Sequence, residues 1–188
     1  MSVATTDHNG PWTVADVLAL PEDRRYRYEL LGESLLVSPA PGVRHQRASY
    51  RLHVAIDAAA RAAGAPVEVL DAINVQTPGG LFVPDLAIVD QAAADEDPVA
   101  IDSEAVQLIV EIVSPGNSDM DRTVKPLRYA EAGIPHYWRV EMLPTPRIIM
   151  GTLHRGRYIE QATAIAGTIT AVKTPFPFEI DPAGITTR

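Results

Sequence analysis

The run Leu81-Phe82-Val83-Pro84-Asp85-Leu86-Ala87-Ile88-Val89, with Leu108-Ile109-Val110-Glu111-Ile112-Val113 after it, decides how this chain is read. Both stretches are short and almost wholly apolar, the composition of strands buried on both faces. Each nevertheless carries one acid, Asp85 in the first and Glu111 in the second. An unpaired buried carboxylate is costly, so two of them in neighbouring strands call for a shared explanation. A divalent cation supplies one: a hard ion such as Mg²⁺ takes one or two carboxylates, keeps several waters and neutralises both charges. The alternative is that each acid pairs with an arginine or caps an exposed strand edge. Pro84, which marks a strand irregularity beside Asp85, favours the metal reading for the pair.

Working outward, the spacing predicts a short capped helix over Thr13–Leu20, with Thr13 three residues before Asp16 and Pro21 as a stop. Arg27–Leu31 and Ser34–Ser38 flank Gly32-Glu33 as a hairpin, closed by Ser38-Pro39-Ala40-Pro41-Gly42. Arg44–Ala63 is rich in Ala and Arg, has Leu52, Ile56 and Ala59/Ala60 at helical spacing, and meets Gly64; it predicts the first long helix. Val67–Gln76 and Leu81–Val89 read as two strands paired across the turn Thr77-Pro78-Gly79-Gly80. Acidic, Ala-rich Gln91–Ser103 reads as an irregular surface connection, and Val106–Val113 as a central strand. Ser114-Pro115-Gly116-Asn117 breaks that strand, Ser118 with Asp121 caps a helix to Ala132, and Gly133 closes it. A strand over His136–Glu141 follows, then short strands at Arg147–Leu153 and Arg157–Gln161 and weaker β segments. This order predicts an α/β (α+β) fold, a mixed central β-sheet flanked by helices.

The 188 residues fit one domain, 1–188. With 46% apolar and 21% charged residues the composition is that of an ordinary globular protein. No apolar run approaches the length needed to span a bilayer, and Met1–Gly10 is polar, so a cytoplasmic protein with no membrane partner is expected. The absence of cysteine removes disulfides, thiolate metal sites and thiol nucleophiles, leaving oxygen and nitrogen ligands. A net charge of −8 argues against a surface that coats nucleic acid generally. The charge is uneven, however: seven of the sixteen basic residues lie between positions 24 and 61. Arg44, Arg47 and Arg51 recur at helical spacing and are candidate phosphate-binding residues; a solvated helix face is the plainer reading. Tyr137-Trp138 reads as core packing. His8, His53, His136 and His154 show no metal-ligand spacing, and no glycine-rich phosphate loop or nucleophile elbow is present.

Pro84-Asp85 followed by Glu111 in a buried strand resembles the PD-(D/E)xK nuclease superfamily. More narrowly, an ordered series of blocks resembles the Uma-two family of restriction endonuclease-like proteins. The series comprises Tyr28-Glu29-Leu30, Ser38-Pro39-Ala40-Pro41 with His45-Gln46, Val83-Pro84-Asp85-Leu86, Val110-Glu111-Ile112-Val113-Ser114-Pro115, Asp121-Arg122 through Lys125, Tyr129, Gly133-Ile134-Pro135 and Tyr137-Trp138. The blocks run from about residue 13 to 141, and the tail beyond Pro144 matches poorly. The resemblance implies a restriction-endonuclease-like core (helix, three strands, helix, strand) with an N-terminal hairpin and a C-terminal β extension. It implies Asp85 and Glu111 as catalytic ligands of Mg²⁺ or Mn²⁺, Glu29 as a further catalytic-site acid near the metal, Lys125 as the catalytic basic residue that positions or polarises the attacking water, and His45 as an accessory residue.

The superfamily's lysine stands two residues after the acid, on the same strand face, and here that position is Val113. In the Uma-two-like pattern a lysine on the following helix replaces it, and Lys125 fits, since helical side chains tilt toward the N-terminus. Otherwise Lys125 is an exposed helix residue paired with Asp121 at i, i+4. The turn Gly32-Glu33 is one residue shorter than the family's hairpin, which affects the aim of Glu29. The expected activity is metal-dependent endonucleolytic hydrolysis of phosphodiester bonds in nucleic acid, DNA by resemblance, with a homodimer serving the two strands of a duplex. A non-cutting regulatory or binding module on the same fold, or a metal-dependent hydrolase of a small phosphorylated molecule, are the alternatives.

Overall fold

The computed structural model describes residues 8–114 and 120–186. Thr13 opens helix α1 (Val14–Leu18) through the reciprocal box with Asp16 that the spacing predicts. Strands β1 (Tyr26–Leu31) and β2 (Ser34–Pro39) form the expected hairpin, Leu31 opposite Ser34 across Gly32-Glu33. Helix α2 (Val43–Ala63) turns His45, Ala48, Leu52, Ile56 and Ala60 to the interior, and Gly64 ends it in the left-handed conformation at φ 62°.

The next segment departs from expectation. Each of the two anticipated long strands is broken in its middle. The first divides into β3 (Val67–Asp71) and β4 (Asn74–Thr77), with Ala72 between them at φ 50°. The second divides into β5 (Gly80–Phe82) and β6 (Leu86–Asp90), with Val83-Pro84-Asp85 between. Because β4 pairs with β5 and β3 with β6, the hairpin survives but folds across its waist, its tip in one sheet and its base in another. Pro84 has no N–H to give a ladder, and the facing Ala72 N–H donates to the Asp85 carbonyl at 3.3 Å, so both strands turn at the same level.

The connection read as irregular holds helix α3 (Gln91–Ala94), strand β7 (Ala100–Asp102) and a 3₁₀ turn over Ser103–Ala105. Strand β8 (Val106–Ile112) follows, buried along almost its whole length as expected. A π-helical turn, Met120–Val124, leads into α4 (Lys125–Glu131), so the regular helix starts later than predicted; Ser118 lies outside the described residues. Pro126, near the start of α4, occupies a place where an intrahelical N–H is not required. The remaining elements are β9 (His136–Glu141), β10 (Arg147–His154), β11 (Arg157–Ile165), β12 (Thr170–Val172), β13 (Phe178–Ile180) and α5 (Ala183–Thr186).

The fold is the expected α+β arrangement of mixed sheet and helices, with the strands divided between two mixed sheets, β2-β1-β5-β4-β7 and β11-β10-β9-β8-β6-β3, plus the pair β12-β13. The larger sheet with α2 and α4 is the helix, three strands, helix, strand core: β3, β6 and β8 are antiparallel neighbours and β9 lies parallel to β8. Alternation divides its faces. Leu86, Ile88, Leu108, Val110, Trp138 and Val140 pack with α2, whereas Ala87, Val89, Ile109 and Tyr137 pack with Tyr129 of α4. Among the described residues no helix is long and apolar enough to cross a membrane.

Candidate active site

Asp85 and Glu111 share a face by register. Leu86 pairs with Val110 across antiparallel β6 and β8, so Asp85, one residue before, falls opposite Glu111, one residue after. Both have the parity of Ala87 and Ile109, which places them on the side of the sheet covered by α4. The fold in the waist of the hairpin sets Asp85 at the boundary between the sheets, within reach of β1. There Arg27 Nη1 donates to Asp85 Oδ1 at 2.7 Å, while the Ile112 backbone N–H donates to Oδ2 at 2.8 Å. His45, in the first turn of α2, brings Nε2 to 2.9 Å from Oδ2 and leaves its buried Nδ1 without a hydrogen-bond partner among the described residues.

Lys125 reaches across as its position requires. Only 5% exposed, it sets Nζ 3.0 Å from Glu111 Oε1 and 2.9 Å from Glu29 Oε1. Tyr129, one helical turn later, donates its hydroxyl to Glu111 Oε1 at 2.8 Å. Glu29 Oε1 also accepts the Val83 N–H at 2.8 Å, so the shorter hairpin turn leaves Glu29 aimed inward. Asp121, buried beside them, lines the same cavity of about 80 Å³. That volume suits an ion with a few waters, since a water takes about 30 Å³ of liquid, and is too small for a nucleotide.

The electrostatics follow from three acids around one lysine, with Asp85 beside them. Burial drives the Glu111 carboxyl up to about 8, with Lys125 opposing the rise and Asp85, Asp121 and Glu29 adding to it. Burial likewise lifts Asp121 to about 6, again against the pull of Lys125. Asp85 goes the other way: burial favours its neutral form, but His45 and Arg27 outweigh it and hold the carboxyl below its ordinary value. Burial alone would discharge Lys125, yet Glu111, Glu29 and Asp121 raise it, so it stays an ammonium.

The sequence-predicted residues Glu29, His45, Asp85, Glu111 and Lys125 thus meet at one cavity. The arginines of α2 do not join them in a stripe. Arg44 donates to the Met142 carbonyl and Arg51 to that of Gly184, so each ties α2 to another part of the chain; Arg47 is half-buried beside them. Three contributors have no site role in the sequence reading, in which Asp121 is a helix cap or a partner of Lys125: Arg27, Asp121 and Tyr129. Their signals were present, since Arg27 shares the strand face of Glu29 at i, i+2, and Asp121, Lys125 and Tyr129 recur every four residues.

Asp85 and Glu111 offer hard oxygen donors, the chemistry that Mg²⁺ or Mn²⁺ selects. Among the described residues no three acid or imidazole groups stand close enough for a ready-made metal cage. A cation that needs only one or two carboxylates and completes its shell with water fits this donor set; an ion that needs an all-protein cage does not.

A family model, Uma2, described as "Putative restriction endonuclease", matches residues 14–183. The match therefore extends through β10 to β13, correcting the expectation that resemblance fades beyond Pro144. Among solved structures, the chain is similar to the crystal structure of "a putative nuclease belonging to DUF820 from Anabaena variabilis ATCC 29413". The two share 16% sequence identity and a TM-score of 0.72 over 94% of this chain and 98% of that one, a likeness of fold. No curated protein sequence matches the chain.

Proposed function

Since the chain belongs to the Uma2 family, we propose that it is a metal-dependent endonuclease that hydrolyses phosphodiester bonds in DNA. The observation that carries this reading is the buried Lys125 ammonium held between Glu29 and Glu111, beside Asp85, in a cavity sized for an ion and water. Asp85 and Glu111 would hold Mg²⁺ or Mn²⁺, which when bound supplies Lewis-acid polarisation of a phosphoryl oxygen and lowers the pKa of water at the site. The chain's own residues do the positioning. Arg27, His45 and the Ile112 N–H fix the plane of the Asp85 carboxylate. Tyr129 fixes Glu111, and Glu29, braced on the Val83 N–H, aims the Lys125 ammonium at the charge that develops on the phosphoryl oxygens. The acting unit is one domain over 1–188, and two copies would serve the two strands of a duplex.

A second reading has its own support. Both Asp85 oxygens already face cationic or N–H partners, as a non-cutting module on this fold would leave them. Conversion of supercoiled plasmid to nicked circle separates the two. With Mn²⁺ the wild-type chain should nick, and Asp85→Ala or added EDTA should stop it. Nicking that persists in Asp85→Ala overturns the site, and Mn²⁺ binding without nicking favours the module.

A further inference from the structure

We propose that an arginine track beginning beside the carboxylate cavity, with Arg122, Arg139 and Arg157 at its centre, binds the nucleic-acid backbone flanking the cleaved bond. The inference rests on the nuclease reading and deepens it by locating where a chain of net charge −8 meets a polyanion. Two grooves meet at Arg122. One, of about 580 Å³, adjoins the carboxylate cavity and carries Arg44, His45 and Met142; the other, of about 390 Å³, carries Arg139, Tyr137, Arg157 and Tyr158.

Strand register joins this surface to the site. Arg139 of β9 is the direct partner of Glu111 on β8, hence on the same face, and Ile149 of β10 lies next across the sheet. Arg157 reaches the same groove from the start of β11, where alternation gives it the other parity; Glu160 lines that groove too, and the strand partner of Arg157, His154, lies five residues along β10 from Ile149. That is about 16 Å of strand, the axial length of about five nucleotides.

The arginines are not consumed by internal pairing. Arg122, Arg139 and Arg147 all converge on one buried carboxylate, Glu141, with the first two at 3.3 Å. One negative charge cannot neutralise three guanidinium groups, and the Arg122 and Arg147 side chains remain 46% and 47% exposed. Glu141 therefore holds a cationic cluster in place. Arg157 is exposed and has no acidic partner among the described residues, and Arg44 is bonded to a carbonyl that carries no net charge. Phosphate oxygens, which accept several guanidinium N–H bonds at once, are the complementary group. Tyr158 alongside Arg157 adds an aromatic edge to the groove, although its hydroxyl is given to the Ile134 carbonyl.

The test is anisotropy of a fluorescein-labelled DNA duplex, and of an RNA of the same sequence, titrated with the full chain in EDTA over a series of salt concentrations. Arg157→Ala should weaken binding about three- to tenfold and make the slope of log K against log salt shallower by about one. Arg157→Lys should restore the slope, and Arg61→Ala, paired with Asp57 on α2, should change neither quantity. A preference for DNA or for RNA among these arms identifies the backbone. If Arg157→Ala binds with wild-type affinity and slope while the wild type nicks plasmid, the track is wrong and the nuclease reading stands. If the wild type binds neither duplex nor RNA at low salt, both fall. A lost slope in a chain that never nicks supports the track and overturns the cutting.

Discussion

At the scale of single residues the site turns on Lys125. An ammonium buried in protein is tolerated only where acids surround it, and here Glu29, Glu111 and Asp121 do so while burial works against its charge. The dependence is mutual: without the ammonium, the two carboxylates it touches keep their burial and lose their counter-charge. Lys125→Met should therefore destabilise the metal-free chain by about 3 kcal/mol, the usual loss when one partner of a buried ion pair is removed. Plasmid nicking should fall by about two to three orders of magnitude if the ammonium stabilises developing charge. Urea denaturation in EDTA and a nicking time course measure the two effects. Unchanged stability would mean that Lys125 does not stay charged, and unchanged nicking would remove it from the chemistry. The displaced lysine was legible as a vacancy at Val113 and a candidate on the next helix. Its reach was not, because a long side chain has many rotamers and only the packing of α4 against the sheet selects one.

Elements set where those side chains start. The folded waist of the β3–β4 and β5–β6 hairpin brings Asp85 to the boundary of two sheets, and it depends on how closely β5 can approach β1. Gly80 pairs with Leu31, and a Cβ there would lie 1.9 Å from the Leu30 carbonyl oxygen and 2.8 Å from its carbon. Backbone cannot yield as a flexible side chain can, and φ at Gly80 is +148°, a conformation L residues rarely adopt. Gly80→Ala should destabilise the chain by about 3 kcal/mol, at the upper end of overpacking costs. A urea midpoint within experimental error of wild type would show that the two strands can separate without loss. Alternation and turn residues made the hairpin legible in the sequence. The break across it was hinted at by Pro84 alone, since nothing in local pattern obliges Ala72 to turn at the same level.

At the scale of the whole molecule, the tail expected as a C-terminal β extension completes the main core: Val172, Phe176, Ile180 and Ile185 pack in one cluster with Leu52, Trp138 and Met150. Glu141 is a second tie, joining the approach to α4 through Arg122, β9 through Arg139 and β10 through Arg147. Burial favours its neutral form, but hydrogen bonding and charge from Arg147, then Arg139 and Arg122, outweigh this and hold the carboxyl below its ordinary value. A carboxyl depressed in the folded state contributes stability above its unfolded pKa of about 4 and loses it as pH falls through the lower folded value. Wild type should thus lose more stability than Glu141→Gln as pH is lowered below that range, as followed by urea denaturation; parallel pH profiles would exclude the tie. Hydrophobic period, caps and strand-buried acids were local properties, so the sequence by itself determined the main helices and strands, the core type and Asp85 with Glu111 as a pair, and its resemblance to a family added Glu29, His45 and Lys125. Only the tertiary structure decided that the strands divide between two sheets, that Arg27, Asp121 and Tyr129 join the set, and that scattered arginines gather around Glu141. Those outcomes depend on contacts that local pattern does not specify, made by residues whose burial and charge are settled by packing and register.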